Sequence, residues 1–331
     1  MTLLLTVASV LAAIVPMFTF LAVVWWLDRY DREPVWLLVL TFAWGAVPAV
    51  FLAIPASTLL EQVFVGVGMA GGLDPAVTAS ITGPVLVAPL VEEPAKALVL
   101  LFLIFSRHFD NVTDGFVYGA AAGLGFGMSE NLLYFLSVTD SPSAWGATVL
   151  IRTFYSAVMH ATATSILGAA IGFARFRGLF TLMVATLMGY ALAVGIHMLW
   201  NGLIVSAEVV DDPDIFLANL ALFPLEFGLV FVIFQACLFT EARSIARELT
   251  DEARLGTLPA DHPRRLASFW SRVFRGWMPA GIDQNAYVRL STQLALRRVQ
   301  LRQLGRRATP FYQNEIDRLR KGIRGLLRHS T

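Results

Sequence analysis

The 331-residue chain has a single cysteine, Cys237, so an intrachain disulfide and a multi-cysteine metal site are both closed to it. Charge is scarce too. Asp, Glu, Lys and Arg make up 15% of residues against 56% hydrophobic, and the mean hydropathy is +0.65. A soluble protein could not cover that much apolar surface with polar groups, which leaves a polytopic membrane protein. The first apolar run, Met1 to Leu27, lacks the basic n-region of a secretory signal and exceeds the usual h-region, so it is expected to be the first transmembrane helix. No HExxH pattern, internal repeat or low-complexity tract is evident.

Seven apolar stretches, at about 3–27, 35–61, 77–105, 114–138, 148–174, 179–206 and 214–240, reach the roughly 20 residues needed to cross a bilayer. Residues 241–331 hold 18 Lys/Arg and 8 Asp/Glu, a balance of +10, whereas residues 1–240 hold 7 and 16, or −9. The sequence therefore predicts an all-α fold: a bundle of about seven transmembrane helices in 1–240 and a basic, helical cytoplasmic tail in 241–331. Orientation follows from the loops. Arg29 and Arg32, then Arg107, then Arg175 and Arg177 follow the odd-numbered stretches, while the loops around 62–76, 139–147 and 207–213 have no Lys or Arg. The last of these is acidic, with Glu208, Asp211 and Asp212. The positive-inside rule then puts the N-terminus outside the cell membrane and the tail in the cytoplasm, with Arg152 the one exception.

In the tail, apolar residues recur at helical spacing between arginines (Leu294, Leu296, Val299, Leu301, Leu304; then Ile316, Leu319, Ile323, Leu326). Such helices are expected to lie near the inner leaflet and meet anionic lipid. The tail has no nucleic-acid-binding motif, and no nucleic-acid partner is expected.

Against this apolar background the polar residues stand out. Glu92, Glu93 and Lys96 interrupt a stretch that is otherwise uncharged from Pro75 to Phe105. Ionisable groups at that depth cost at least ~2.5 to 3.5 kcal/mol each, so they pair with one another or line a wet cavity. Glu92 and Lys96 can meet one helical turn apart. Pro94 removes the hydrogen bond to Leu90, and with Pro84 and Pro89 it predicts a helix that kinks or starts anew. Glu130 follows Phe126 by four residues in the fourth stretch, His160 is central in the fifth, and His197 and Asn201 form an i, i+4 pair in the sixth. Counted from their outer ends, Glu130, His160 and His197 lie at similar depth, about 12 to 18 Å down at ~1.5 Å per residue. In the fourth stretch Gly115, Gly119, Gly123 and Gly127 form a stripe that would let another backbone approach and hold Glu130 and Asn131 against neighbours.

Three of these patterns resemble the PrsW family of intramembrane proteases, within the wider superfamily of type II CAAX prenyl endopeptidases. Glu92-Glu93-Pro94-Ala95-Lys96 is similar to its EExxK motif, Phe126 to Glu130 to its FxxxE motif, and His197 to Asn201 to its HxxxD/N-type motif. Asp28 to Pro34 resembles a recurring family segment. The resemblance covers roughly 20–205. Glu130 stands where the prenyl enzymes have His, while Asn201 follows the prenyl form.

The resemblance implies a glutamate-type intramembrane endopeptidase acting on a single-pass membrane protein, such as a membrane-anchored anti-sigma factor, without a cofactor. In that scheme Glu92, or alternatively Glu93, activates water; His160 or His197 polarises the carbonyl or protonates the leaving amine; Asn201 donates to the oxyanion; and Glu130 orients a histidine, with Lys96 and Phe126 in support. A zinc site of Glu93, His160 and His197 is the competing mechanism. An ion- or proton-coupled transporter is the non-protease alternative, for which repeat symmetry would be the sign.

Overall fold

The computed structural model describes residues 2–210, 213–274, 276–278, 281–305 and 310–328. The acidic pair Asp211 and Asp212 lies outside the described residues. The chain divides into two compact units: Met1–Trp25 with Glu33–Arg175 and Leu179–Val232, and Trp26–Arg32 with Phe176–Gly178 and Ile233–Thr331. The second unit thus takes in two short loop segments besides 233–331, the region that includes the tail expected from 241.

The first unit is all helical among its described residues. Helix α1 (Thr2–Leu27) is followed by three rods, each made of two α-helices fused through five residues of π-helix. Helices α2 (Val35–Trp44) and α3 (Val50–Ala70) join through Gly45–Ala49. Helices α4 (Pro75–Thr82) and α5 (Ala88–Leu103) join through Gly83–Val87. After α6 (Val112–Ser137), helices α7 (Pro142–Ile151) and α8 (Ala157–Ala174) join through Arg152–Ser156. Helices α9 (Leu179–Val210) and α10 (Pro213–Arg254) complete the set, the unit boundary falling within α10.

Five of these seven rods are long and apolar enough to cross a membrane: Leu3–Leu27, Val35–Ala70, Pro142–Ala174, Leu179–Ala207 and Phe227–Arg254. The protein is therefore a multi-pass membrane bundle. The other two, 75–103 and 112–137, fall short of the seven expected because the first gathers Glu92, Glu93 and Lys96 and the second is diluted by glycine, Asp114, Glu130 and Asn131.

A π-turn shifts the backbone pairing by one residue and leaves a carbonyl in need of a donor. Each of the three obtains one from a neighbouring helix. Ser129 Oγ donates to the Ala46 carbonyl at 2.5 Å, Asn201 Nδ2 to Pro84 at 2.7 Å, and Asn131 Nδ2 to Arg152 at 3.3 Å. The Pro84 case has a covalent cause, since Pro89 five residues on has no N–H to return. Pro94 likewise leaves the Leu90 carbonyl free, and the Tyr190 hydroxyl donates to it at 2.9 Å. Helix α5 runs through Pro94 without the new start that is one of the two outcomes expected there; the irregularity lies about two to three turns earlier, at Gly83–Val87, which contains Pro84.

The glycine stripe brings α6 against α8. A Cβ at Gly119 would lie 2.4 Å from the Thr164 carbonyl oxygen, and one at Gly123 would lie 2.3 Å from that of His160. No side chain fits there, so glycine sets the spacing that places Glu130 beside α8.

The second unit has a core of its own. Helices α11 (His262–Leu266), α12 (Phe269–Val273), α13 (Gln284–Leu304) and α14 (Pro310–Arg328) enclose Leu266, Tyr287, Leu294, Ile316 and Ile323 together with Ile245 and Leu249. Leu294, Leu296, Ile316, Leu319 and Ile323, expected on a lipid-facing stripe, are buried against one another instead. Arg272, itself buried, donates to the carbonyls of Leu266 and Tyr30 and to the Thr292 hydroxyl, which ties segment 26–32 to this core.

Candidate active site

Within the first unit α5, α6, α8 and α9 bring the expected residues together. Lys96 is fully buried and its Nζ lies 2.8 Å from Glu93 Oε1, 3.3 Å from Glu92 Oε2 and 2.9 Å from His160 Nδ1. Its ammonium also sits over the Phe126 ring, 4.2 Å from the centroid, a cation–π contact that explains the apolar member of the second motif. A charged ammonium is a donor only, so it fixes His160 Nδ1 as acceptor and leaves Nε2–H to donate to Glu130 Oε2 at 2.5 Å.

The two adjacent glutamates differ in what surrounds them. Glu93 is inaccessible to solvent and fully engaged: Oε1 accepts from Lys96 and from His197 Nδ1 at 2.9 Å, and Oε2 accepts from Thr164 Oγ1 at 3.0 Å. Among the described residues Glu92 has only Lys96 in hydrogen-bond range. Its Oε2 is 3.9 Å from His197 Nε2, too far for a direct bond, and its side chain keeps 14% of its surface exposed. With Nδ1–H committed to Glu93, the His197 Nε2 lone pair faces Glu92. The His160 and His197 rings meet edge to face, centroids 4.8 Å apart.

A cavity of about 700 Å³ opens on this cluster and is lined by Glu92, Glu130, Phe126, Arg152, Trp200 and Asn201 among others. One N–H of Asn201 is committed to Pro84, and the residue also lines the cavity. Arg152, the exception to the arginine distribution, has a reason to be there. Its Nη2 lies 2.9 Å from Glu130 Oε2 and its Nε donates to Asn131 at 3.2 Å.

The structure thus gathers Glu92, Glu93, Lys96, Phe126, Glu130, His160 and His197 into one cluster, with Asn201 on the cavity wall. It adds four groups the sequence reading left out: Thr164, Tyr190 and Ser129 as hydrogen-bond donors, and Arg152 as the cation paired with Glu130. None carries a local signal, because each acts on a partner distant in sequence. Glu92, His160 and His197 present ligand atoms all within 4.8 Å of one another, while Glu93, the carboxylate of the expected zinc set, is hydrogen-bonded to His197 Nδ1.

This arrangement of carboxylates and histidines within a membrane bundle agrees with what the family comparison finds. The model for the PrsW family, described as intramembrane metalloproteases, matches residues 33–234, and the chain belongs to that family of intramembrane proteases. It is similar to Protease PrsW of Bacillus subtilis (strain 168), with 31% identity over 170 residues, 51% of this chain and 70% of that protein. It is also similar to Protease PrsW of Clostridioides difficile (strain 630), with 36% identity over 111 residues, 33% and 43% of the respective chains. Protease PrsW of Geobacillus kaustophilus (strain HTA426) is 29% identical over 166 residues, 50% of this chain and 66% of that one. No solved structure matches the chain.

Proposed function

We propose that this chain hydrolyses a peptide bond of a membrane-anchored protein, of the anti-sigma-factor kind, with a water molecule activated by Glu92. The observation that carries this reading is the contrast between the paired glutamates: Glu93 has no oxygen to spare, whereas Glu92 faces the cavity across 3.9 Å from a histidine nitrogen. A separation of that length between polar atoms suits a bridging water. Glu92 takes one proton as the water oxygen bonds to the scissile carbonyl carbon. The second N–H of Asn201 donates to the oxyanion. As the C–N bond breaks, the proton passes from Glu92 to the leaving amine, with His197 Nε2 as the neighbouring relay. Glu93 holds the His197 tautomer, while Lys96, neutral His160, Glu130 and Arg152 form a hydrogen-bonded chain that fixes the geometry.

The family's description implies a metal, and Glu92, His160 and His197 would be its protein ligands. Two observations argue against that fit. The Lys96 ammonium already stands within 3.3 Å of Glu92 and 2.9 Å of His160, and both His160 nitrogens are engaged, one with Lys96 and one with Glu130. A dication would have to displace a buried cation from its own ligands. We therefore assign no step to a metal. The deciding experiment is cleavage of a single-pass reporter by the purified full chain, with and without a strong zinc chelator, beside Glu92→Gln. Chelator-resistant, Glu92-dependent cleavage is expected; abolition by the chelator and restoration by zinc would reverse the assignment.

The arginine distribution supports an external N-terminus and a cytoplasmic tail in the cell membrane. In a Cys237→Ser background, cysteines at Ser141 and Gly71 should react with impermeant thiol reagents outside intact cells, and cysteines at Ser106 and Ser291 should not. The tail's net +10 supports binding to anionic lipid, read as salt-sensitive retention of the protein on anionic over neutral vesicles.

A further inference from the structure

Glu61 is the single ionisable residue of the membrane-crossing rod Val35–Ala70. It has no ion pair or hydrogen bond among the described residues, and it lines the same cavity as Glu92, near Ser57 and Ser80. The other charged groups on that wall are already paired, Glu92 with Lys96 and Glu130 with Arg152 and His160. Its position is accommodated by the opposite wall: a Cβ at Gly83, in the π-turn, would come within 2.9 Å of Glu61 Oε1, so a larger residue there would push the carboxylate aside. Glu61 is the last residue of the second apolar stretch, and its carboxylate keeps acceptor capacity for a cation in the cavity it lines.

We propose that Glu61 is a subsite for a cationic side chain, Lys or Arg, of the protein substrate; this rests on the protease reading above. The register follows from the rod that carries both ends of the cleft. Gly83, beside Glu61, and Glu92 are nine residues apart, or about 13 Å at ~1.5 Å per residue. An extended substrate advances about 3.3 Å per residue, so the basic side chain lies about four residues from the scissile bond. Substrate chemistry is thereby narrowed to an apolar segment with one basic residue at a fixed distance from the cut.

The test uses the full chain in proteoliposomes and a set of single-span reporters identical except for Lys, Gln or Glu at each position from two to six residues on either side of the cut. Cleavage is read by mass spectrometry. Lys about four residues from the cut is expected to be preferred over Glu at least about ten-fold. Glu61→Gln should flatten that preference and Glu61→Lys should reverse it, with cleavage of neutral reporters retained. If Glu61→Lys fails to fold, the flattening in Glu61→Gln carries the test. Wild-type cleavage blind to charge, or a Lys preference that survives both substitutions, overturns the subsite while the protease reading stands. No Glu92-dependent cleavage of any reporter would overturn both.

Discussion

Glu252 of the tail unit and Glu92 of the membrane unit both sit beside cations, but their surroundings differ. Glu252 is fully buried: Oε2 accepts from Thr257 Oγ1 at 2.8 Å and Arg320 Nε at 2.9 Å, and Oε1 accepts from Arg320 Nη2 at 2.7 Å and from Arg298. Glu248 beside it is held by Arg298 and Arg302. Glu92 has one partner and an open side. A carboxylate whose lone pairs are all taken can fix a fold and do little else, whereas one with spare capacity next to a cavity can accept a proton. Glu93, whose two oxygens together accept three hydrogen bonds, stands closer to Glu252 than to Glu92, so adjacency in the motif does not mean equivalence.

The strongest way to break that contrast is kinetic. Glu92→Gln should lower reporter cleavage by ~100-fold or more while the melting temperature changes little, as expected for loss of a general base. Wild-type turnover in this variant would erase the distinction. Glu252→Ala should do the opposite, destabilising the tail by roughly 3 kcal/mol because Arg298 and Arg320 lose their shared partner, with cleavage per folded molecule near wild type. Limited proteolysis of the tail reads the first quantity and active-site titration the second; an unchanged tail would show the network to be replaceable. A smaller effect is expected from Tyr190→Phe. It strips the donor from the Leu90 carbonyl beside Pro94 and should cost about 1 kcal/mol and a few-fold in turnover, and a neutral outcome would mean that water takes over the bond.

The smallest effect concerns pH in the tail. His262 is buried, with Nδ1 accepting from the Tyr287 hydroxyl at 2.6 Å, and burial holds its pKa below the usual histidine value. The unfolded chain therefore binds a proton that the folded tail resists. The contribution of neutral His262 is intact above pH ~6.5 and declines as pH falls from there toward the depressed folded value, by at most ~1.4 kcal/mol per pH unit. Melting followed by fluorescence of Trp277, whose ring lies 4.9 Å from that of His262, should show this slope in wild type and a flatter one in His262→Gln. Equal slopes would place the titration elsewhere.

The site was legible where its signal is local. A charged triad in an apolar run, a Glu four residues after a Phe, and His and Asn one turn apart are all readable without a fold, and the glycine stripe announced a close helix contact. What stayed hidden depends on partners far along the chain. Arg152 looked like a flaw in the topology because its reason, Glu130, is on another helix. Prolines signalled irregularity without telling which of them would carry it: the π-turn forms at Pro84, while α5 continues through Pro94 because Tyr190 supplies the donor that the Leu90 carbonyl lacks. In the tail the helical spacing was readable, but periodicity reports only that a face is apolar. Here other helices cover it, through a core that also recruits Tyr30.

The wide sequence spacing within the charged cluster bears on how the protein is made. Lys96 meets His160 64 residues later, Glu93 meets Thr164 71 residues later, and its bond to His197 waits for 104. At a synthesis rate of roughly 5–20 residues per second, the last of these partners emerges about 5 to 20 seconds after the glutamates do. Until then the 75–103 rod, which falls short of the apolarity of a membrane span, carries two acids and one base with only local neutralisation. The full set of partners for this rod is therefore present only once α6, α8 and α9 have been made, so the charged cluster is completed after its first members are synthesised.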